Sequence, residues 1–417
     1  MVRVKVNELQ PGMQLARDVL APNGRKLMAR GENLQSRHLQ IFKAWGVTEA
    51  DIIAEEDLLE DNHQHIPQEA WSKASKLLKP FFLLANTKKE PMGDIFQLSL
   101  KHSALAFSKG KKEKQIRQIP AYQHLKHLAA QPPEELLSIE QTMQAESQLL
   151  TLPDIFHRIV EILNSPRSSA YHVAQVVSND ISLSARLLKL VNSPFYGFNT
   201  KVDTVSRAIA LLGVNKLVTL AQGIAVIRLF QDIPGDVVDM QAFWEHSTGC
   251  AVFAKLLAAQ KAGLDEERFF VAGLLHDIGK LLLFKTMPRL MCRAMLLSLQ
   301  KKIFLHQAER EVFQFDHAQF ARQLCCKWLL PEALIDMISS HHIPEKQSRN
   351  PMESAVVHVA DSLVQALGIG FSGNVFVPSI QNRLWQQLGI PTSALQTIVD
   401  QSGRQISEIT NVFCSQD

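Results

Sequence analysis

Residues 269–284 read FFVAGLLHDIGKLLLF. Apolar side chains fill this stretch around His276, Asp277 and Lys280, and their spacing predicts a helix. An ionised carboxylate beside an imidazole in apolar surroundings is costly unless it is paired, protonated or bound to a cation. Adjacent helical residues project about 100° apart. His276 through nitrogen and Asp277 through oxygen can still converge on one ion off the helix flank. A mixed nitrogen and oxygen shell suits iron, manganese, zinc or magnesium better than a thiolate-seeking metal.

Moving outward, further candidate ligands fall on separate segments: His246 in FWEHSTG, His317 in FDHAQF, His341-His342 in SSHHIP and Asp361 in VHVADSL. Each histidine taken alone reads as a satisfied core or surface residue. Together with Asp277 and Asp361 they can make one or two divalent metal sites (Fe, Mn, Mg or Zn) in a helical bundle. Neighbouring helical residues do not face the same way, so only one of His341 and His342 is expected to face such a site.

The surrounding chain is read as mainly α. From 146 onward apolar residues recur at helical spacing: Ile155, Ile159, Ile162 and Leu163 on one face, then Leu183, Leu187, Leu188 and Val191 on another. Segments 208–220, 244–259, 269–283 and 331–340 follow suit. A bundle over 146–370 with a helical extension over 371–417 is expected. Residues 57–145 read as a helical linker with helix over 70–84, interrupted at Pro120 and Pro132-Pro133. The KGKKEK run at 109–114 is either a mobile solvated loop or a contact for nucleic acid or a partner. Residues 1–56 read as a small β-rich module. Val2, Val4 and Val6 alternate with charges, turns follow at Pro11-Gly12 and Pro22-Asn23-Gly24, and strands are expected over 13–20, 25–28 and 48–53. A short helix from Ser36 to Trp45 ends at Gly46.

Composition narrows the function classes. Over 417 residues, 46% hydrophobic and 20% charged is ordinary for a globular protein, and excludes disordered, collagenous or disulfide-stapled chains. A net charge of +3 demands neither a nucleic-acid nor a membrane partner. Cys325-Cys326 is an adjacent pair, unsuited to CxxC redox chemistry or a zinc knuckle, so buried reduced thiols are expected. Without an apolar h-region or a stretch of roughly 20 apolar residues, a soluble cytoplasmic protein is expected.

The order His246, His276-Asp277, Asp361 resembles the HD superfamily of metal-dependent phosphohydrolases, where those positions hold the ion. His317 and His341-His342 resemble the additional ligands of two-metal members, including the HD-GYP cyclic di-GMP phosphodiesterases. The resemblance implies that Lys280 contacts substrate phosphate and that, in an active member, Asp277 and Lys280 serve catalysis. After His342 the chain reads IPEKQSRNP, without Gly-Tyr-Pro, and Ala242 stands where some relatives have a carboxylate. Both departures argue against cyclic di-GMP hydrolysis.

Upstream, LPDIFHRIVEIL, VAQVVSNDISLSARLLKLVNSPFYGF and VDTVSRAIALLGVNKLVTLA resemble the HDOD domain, an HD-related output domain. The motif Asn192-Ser193-Pro194-Phe195-Tyr196-Gly197 is the most specific block. Physically, Pro194 ends a helix, Asn192 caps its carbonyls or bonds across the bundle, and Gly197 takes a left-handed turn. The resemblance implies an all-α HD-type bundle in a bacterial signal-transduction protein that binds a signalling partner or small ligand; the alternative is an HD-type phosphohydrolase acting on a nucleotide or phosphoester. The N-terminal module resembles the small domain preceding the HD domain in some HD-GYP proteins. Nucleic-acid binding through KGKKEK is disfavoured, because the patch lacks interleaved aromatics.

Overall fold

A computed structural model describes most of residues 66–414 and parts of 2–52. Residues 53–65, 118–121, 146–157, 159–168, 199, 231–232, 234–236, 262 and 415–417 lie outside the described set, as do scattered positions before residue 52. Two compact units divide the chain, Met1–Gln68 and Glu69–Asp417.

The first unit carries strands β1 (Val2–Lys5), β2 (Val19–Leu20), β3 (Lys26–Met28) and β4 (Glu49–Ile52). β1 and β4 pair antiparallel with Val4 opposite Ala50, and β2 pairs antiparallel with β3. The strand expected over 13–20 shortens to β2 plus an isolated bridge from Leu15 to Ile52. Val6, Leu9, Leu15, Met28 and Phe42 form its core. Both predicted turns and most of the 36–45 helix fall outside the described residues.

The second unit is helical throughout its described residues. Side chains start its helices: Asp180 accepts from Leu183 N at 2.9 Å, Thr204 from Arg207 N at 3.2 Å, and Asp239 from Gln241 N at 2.9 Å. Asp316 and Gln319 form a reciprocal capping box. The face read from the sequence is the buried one, with Leu183, Leu187 and Val191 fully covered and Leu188 partly so. The face at 155–163 lies outside the described residues, apart from Arg158.

Several expectations change. The segment 208–220 is two helices, Val205–Leu212 and Val214–Ile227, divided at Gly213 with φ +89°. The stretch 269–283 is likewise divided, as described below. Residues 69–145, which the sequence separates as a linker, share one core with the bundle: Leu78, Phe81, Phe82, Met92, Ile95 and Leu125 pack in it. Leu384, Trp385, Ile398, Ile409 and Phe413 do the same for the C-terminal segment. Amphipathic helices leave no stable face uncovered, and these segments supply the cover. The basic run opens at an exposed turn, and its last two residues enter a one-turn helix, Glu113–Ile116. Cys250, Cys292 and Cys325 are buried free thiols, whereas Cys326 is exposed, contrary to expectation.

Asn192 follows the helix Ile181–Val191, caps its carbonyls as foreseen, and bonds to Val202 in the loop that follows rather than across the bundle. Its Nδ2 donates to Leu188 O at 2.8 Å and Val202 O at 2.7 Å, and its Oδ1 accepts from Val202 N at 2.7 Å. Gly197 adopts the left-handed turn, at φ +62°. Ser193 is buried.

Candidate metal centre

The helix Met240–Ala258 carries His246, and the helix Glu266–Leu275 leads into His276-Asp277. A Cβ on Gly273 would stand 2.7 Å from Cys250 O and 2.8 Å from the Ala251 backbone, so only glycine lets these helices touch. That contact brings His246 and His276 together. His276 and Asp277 are not inside one helix: the helical path breaks at Asp277 and resumes over Ile278–Thr286. The break turns both side chains toward the same point. Gly279, next in the motif, meets the carbonyl of His317 so closely that any Cβ would overlap it. A backbone-to-backbone seat thus places His317, the first residue of helix His317–Lys327.

His341 and His342 both face the centre, which corrects the expectation of one alone. The helix Glu332–Ser340 has already ended, and the turn after it lets both rings point inward, with centroids 3.9 Å apart. Asp361 projects from the helix Pro351–Leu367.

All the residues singled out as ligands converge. His246 Nε2 lies 3.4 Å from His276 Nε2, 3.5 Å from Asp277 Oδ2 and 3.3 Å from Asp361 Oδ1. His276 Nε2 lies 3.2 Å from Asp277 Oδ2 and 3.7 Å from Asp361 Oδ1. Tetrahedral ligands bonded at about 2.0–2.2 Å stand about 3.3–3.6 Å apart, which these spacings match closely. On the other side, Asp277 Oδ1 is 3.2 Å from His317 Nε2 and 3.9 Å from His341 Nε2, and His317 Nε2 is 2.9 Å from His342 Nε2. Asp277 therefore offers one oxygen to each of two adjoining donor groups.

The donor atoms are prepared for a cation. His276 Nδ1 is 2.8 Å from Gly273 O, His341 Nδ1 is 2.7 Å from Ile338 O, and His317 Nδ1 is 2.6 Å from Glu309 Oε2. With Nδ1–H donating outward, each Nε2 lone pair is left facing the centre. Asp277 Oδ1, Asp361 Oδ2 and His341 Nε2 are buried without a hydrogen-bond partner among the described residues. His246, His276, Asp277, His317, His341 and Asp361 are at most 1% exposed, and only His342 is half-buried. Unpartnered buried acceptors of this kind fit a divalent cation.

Electrostatics point the same way. Burial works to raise Asp277 and Asp361, but their imidazole neighbours, with Lys280 beside Asp277, hold both carboxylates well below the ordinary range. Burial, then neighbouring imidazoles, pushes His341 and His342 well below theirs, keeping them neutral. Burial also lowers His276, but adjacent Asp277 outweighs it and holds that ring well above its usual value, so a cation entering the centre must displace a proton from its Nε2. Lys280 Nζ, fully buried, donates to Asp277 Oδ2 at 2.7 Å and to Ser372 Oγ at 3.3 Å.

Sequence reading missed several neighbours. Gln365 Nε2 donates to Asp361 Oδ1 at 2.7 Å. His306 stacks on His342 with ring centroids 4.2 Å apart. Glu309 had a detectable signal: it sits one helical turn from both Leu305 and Phe313, an acid on an apolar stripe. Ser372 had none, because only the folded chain brings it to Lys280. Elsewhere, Tyr196 meets the buried pair Lys255–Glu267.

Residues 149–344 match the family model described as the HDOD domain. Over this stretch, just under half of its length, the chain is similar to the HDOD domain. An HDOD domain protein of unknown function from Geobacter sulfurreducens has a similar solved structure, at 26% identity and TM-score 0.51, covering 70% of this chain and 96% of that one. A Shewanella amazonensis protein provisionally named a phosphohydrolase shares the fold, at 22% identity and TM-score 0.53, covering 66% of this chain and 98% of that one. An uncharacterised Treponema pallidum protein is 25% identical over 197 residues, 46% of this chain; the match spans 37% of that relative's length. Among the described residues, no helix is long and apolar enough to cross a membrane.

Proposed function

We propose that this is a cytoplasmic regulatory protein of bacterial signal transduction. Its HDOD domain binds a signalling partner or small ligand, and its histidine–aspartate centre holds a divalent cation for structure rather than for turnover. The ligands are His246, His276, Asp277 and Asp361 on one side, and Asp277, His317, His341 and His342 on the other. A cation there offsets the charge of two buried carboxylates. The likeness of residues 1–56 to the module preceding some HD-GYP domains belongs to the same reading, as an input position.

One observation carries it: the donor set is complete yet enclosed. Phe371 N donates to Ala242 O at 2.9 Å on the His246 helix, and Ser372 Oγ takes the hydrogen bond of Lys280. This segment packs against the centre, and with six of the seven donor residues at most 1% exposed, a phosphoester has little access to them. The missing Gly-Tyr-Pro supports the same view. Elemental analysis of gently purified protein, with phosphodiester and nucleotide turnover assayed under Mn²⁺, Fe²⁺, Mg²⁺ and Zn²⁺, tests the proposal. Bound cation without turnover is expected. Turnover abolished by His276→Ala plus Asp277→Ala would overturn it.

A second reading is a metal-dependent phosphohydrolase acting on a nucleotide or phosphoester. It is favoured by Lys280, whose ammonium is held at the centre beside Asp277 and could meet a phosphate oxygen there. In that reading the cation supplies Lewis acidity and an activated water. The same assays decide between the two.

A further inference from the structure

We infer that Glu309 is a positioning residue that commits His317 to a second cation, so that the helix Leu305–Phe313, which bears no ligand itself, decides whether the second half of the centre fills. This rests on the metal reading above.

Glu309 is fully buried. Its Oε2 accepts from the His317 backbone N at 3.0 Å and meets His317 Nδ1 at 2.6 Å, while its Oε1 has no hydrogen-bond partner among the described residues. Among those residues its ionic partner is His317. A buried carboxylate needs positive charge nearby. Here that charge must sit on the imidazole or just beyond its Nε2, the atom that faces Asp277 Oδ1 and His342 Nε2. A carboxylate behind a ligand imidazole fixes its tautomer and raises its basicity.

The same helix steadies the other imidazole. His306 stacks on His342 at an interplanar angle of 20°, and Phe304 in turn stacks on His306 at 10°. In the first half of the centre, His276 is steadied by a backbone carbonyl and Asp361 by Gln365, and among the described residues no carboxylate backs either. Loss of Glu309 should therefore act on one half alone.

The test uses the full chain, with Zn²⁺ or Co²⁺ alone as probe. Calorimetric titration and elemental analysis are applied to wild type, Glu309→Gln and Glu309→Ala, with the fold checked by circular dichroism. The expected result is an unchanged first cation and a second weakened about 10–100-fold in Glu309→Gln, with altered Co²⁺ absorption for the second equivalent only. Glu309→Ala should weaken it at least as much. If both variants bind like wild type, or wild type holds a single cation that neither change disturbs, the role assigned to Glu309 is wrong while the metal reading stands. If wild type binds no cation, the metal reading fails and takes this inference with it. Should neither variant fold, nitrogen–proton NMR of zinc-loaded wild type decides: Nδ1–H on His317 supports the role, and Nε2–H overturns it.

Discussion

Tyr196 donates its hydroxyl to Glu267 Oε2 at 2.7 Å, so the turn that closes the Asn192–Gly197 block grips the helix leading to His276. Lys255, on the His246 helix, binds the other oxygen of Glu267 at 2.8 Å and lies 4.0 Å from the Tyr196 ring centroid. The motif therefore clamps together the two helices that supply His246 and His276. Burial, then the neighbouring Glu267 carboxylate, holds the Tyr196 phenol well above its usual pKa, so it remains a donor at any ordinary pH.

Removing the two partners of Glu267 should have unequal effects. Tyr196→Phe takes away one hydrogen bond to a carboxylate that keeps its cation, a loss of about 1–3 kcal/mol. Lys255→Met leaves that carboxylate buried without its cation, a loss of about 3–5 kcal/mol. Urea unfolding gives both values, and an inverted order would show that the ammonium is not the main support of Glu267.

Glycine substitutions should separate the close-packed centre from the periphery. Gly279→Ala drives a methyl group into the His317 carbonyl and Gly273→Ala into the backbone at Cys250, so each should cost more than about 3 kcal/mol or prevent soluble expression. Gly403→Ala, inside the helix Ser393–Cys414 with no atom within 4 Å of the added carbon, should stabilise by about 0.5–1 kcal/mol. Thermal melts of the three proteins check the contrast.

Asp336 predicts a dependence on acid. It accepts from Ser348 Oγ at 2.6 Å, Arg349 N at 3.1 Å and Asn350 N at 3.0 Å, tying down the entry to the Asp361 helix. Burial raises its pKa, but these hydrogen bonds outweigh it, and the folded value lies below the ordinary one. The stabilisation is therefore complete above the unfolded value of about 3.9 and is lost as pH falls through the folded one. Asp336→Asn should lower stability by about 1–3 kcal/mol at pH 7 and much less near pH 3. A difference that persists undiminished at pH 3 would assign the effect to shape rather than charge.

Cation binding should stabilise the fold. With free Mn²⁺ or Zn²⁺ at 100 times its dissociation constant, linkage adds about 2.7 kcal/mol, seen as a rise in Tm that a chelator reverses. His246→Ala should abolish most of the rise. A melt indifferent to metal and chelator alike would count against the proposed ligand set.

Much of this was legible in the sequence, for reasons that particular residues make plain. Leu183, Leu187 and Val191 repeat at helical spacing because one face of their helix is buried, and a periodic pattern records that directly. The donor set was legible because histidines and aspartates are conspicuous on apolar segments. The break at Asp277 was not, since local apolar spacing runs through it unchanged; the interruption is imposed by the seat of Gly279 on His317. The pairing of His341 with His342 depended on where a helix stops. The incorporation of residues 69–145 rests on contacts distant in sequence, such as Ser99 to Ala366 and Arg117 to Ala366, which no local pattern carries.

The near-total enclosure of the donors bears on timing. An ion bound at donors this deeply buried would leave slowly, since openings are rare in a dense core. Exchange would then be slow beside the life of the protein. The metal on offer while the chain folds would be the one it keeps, a record of the cell's supply at the moment of synthesis.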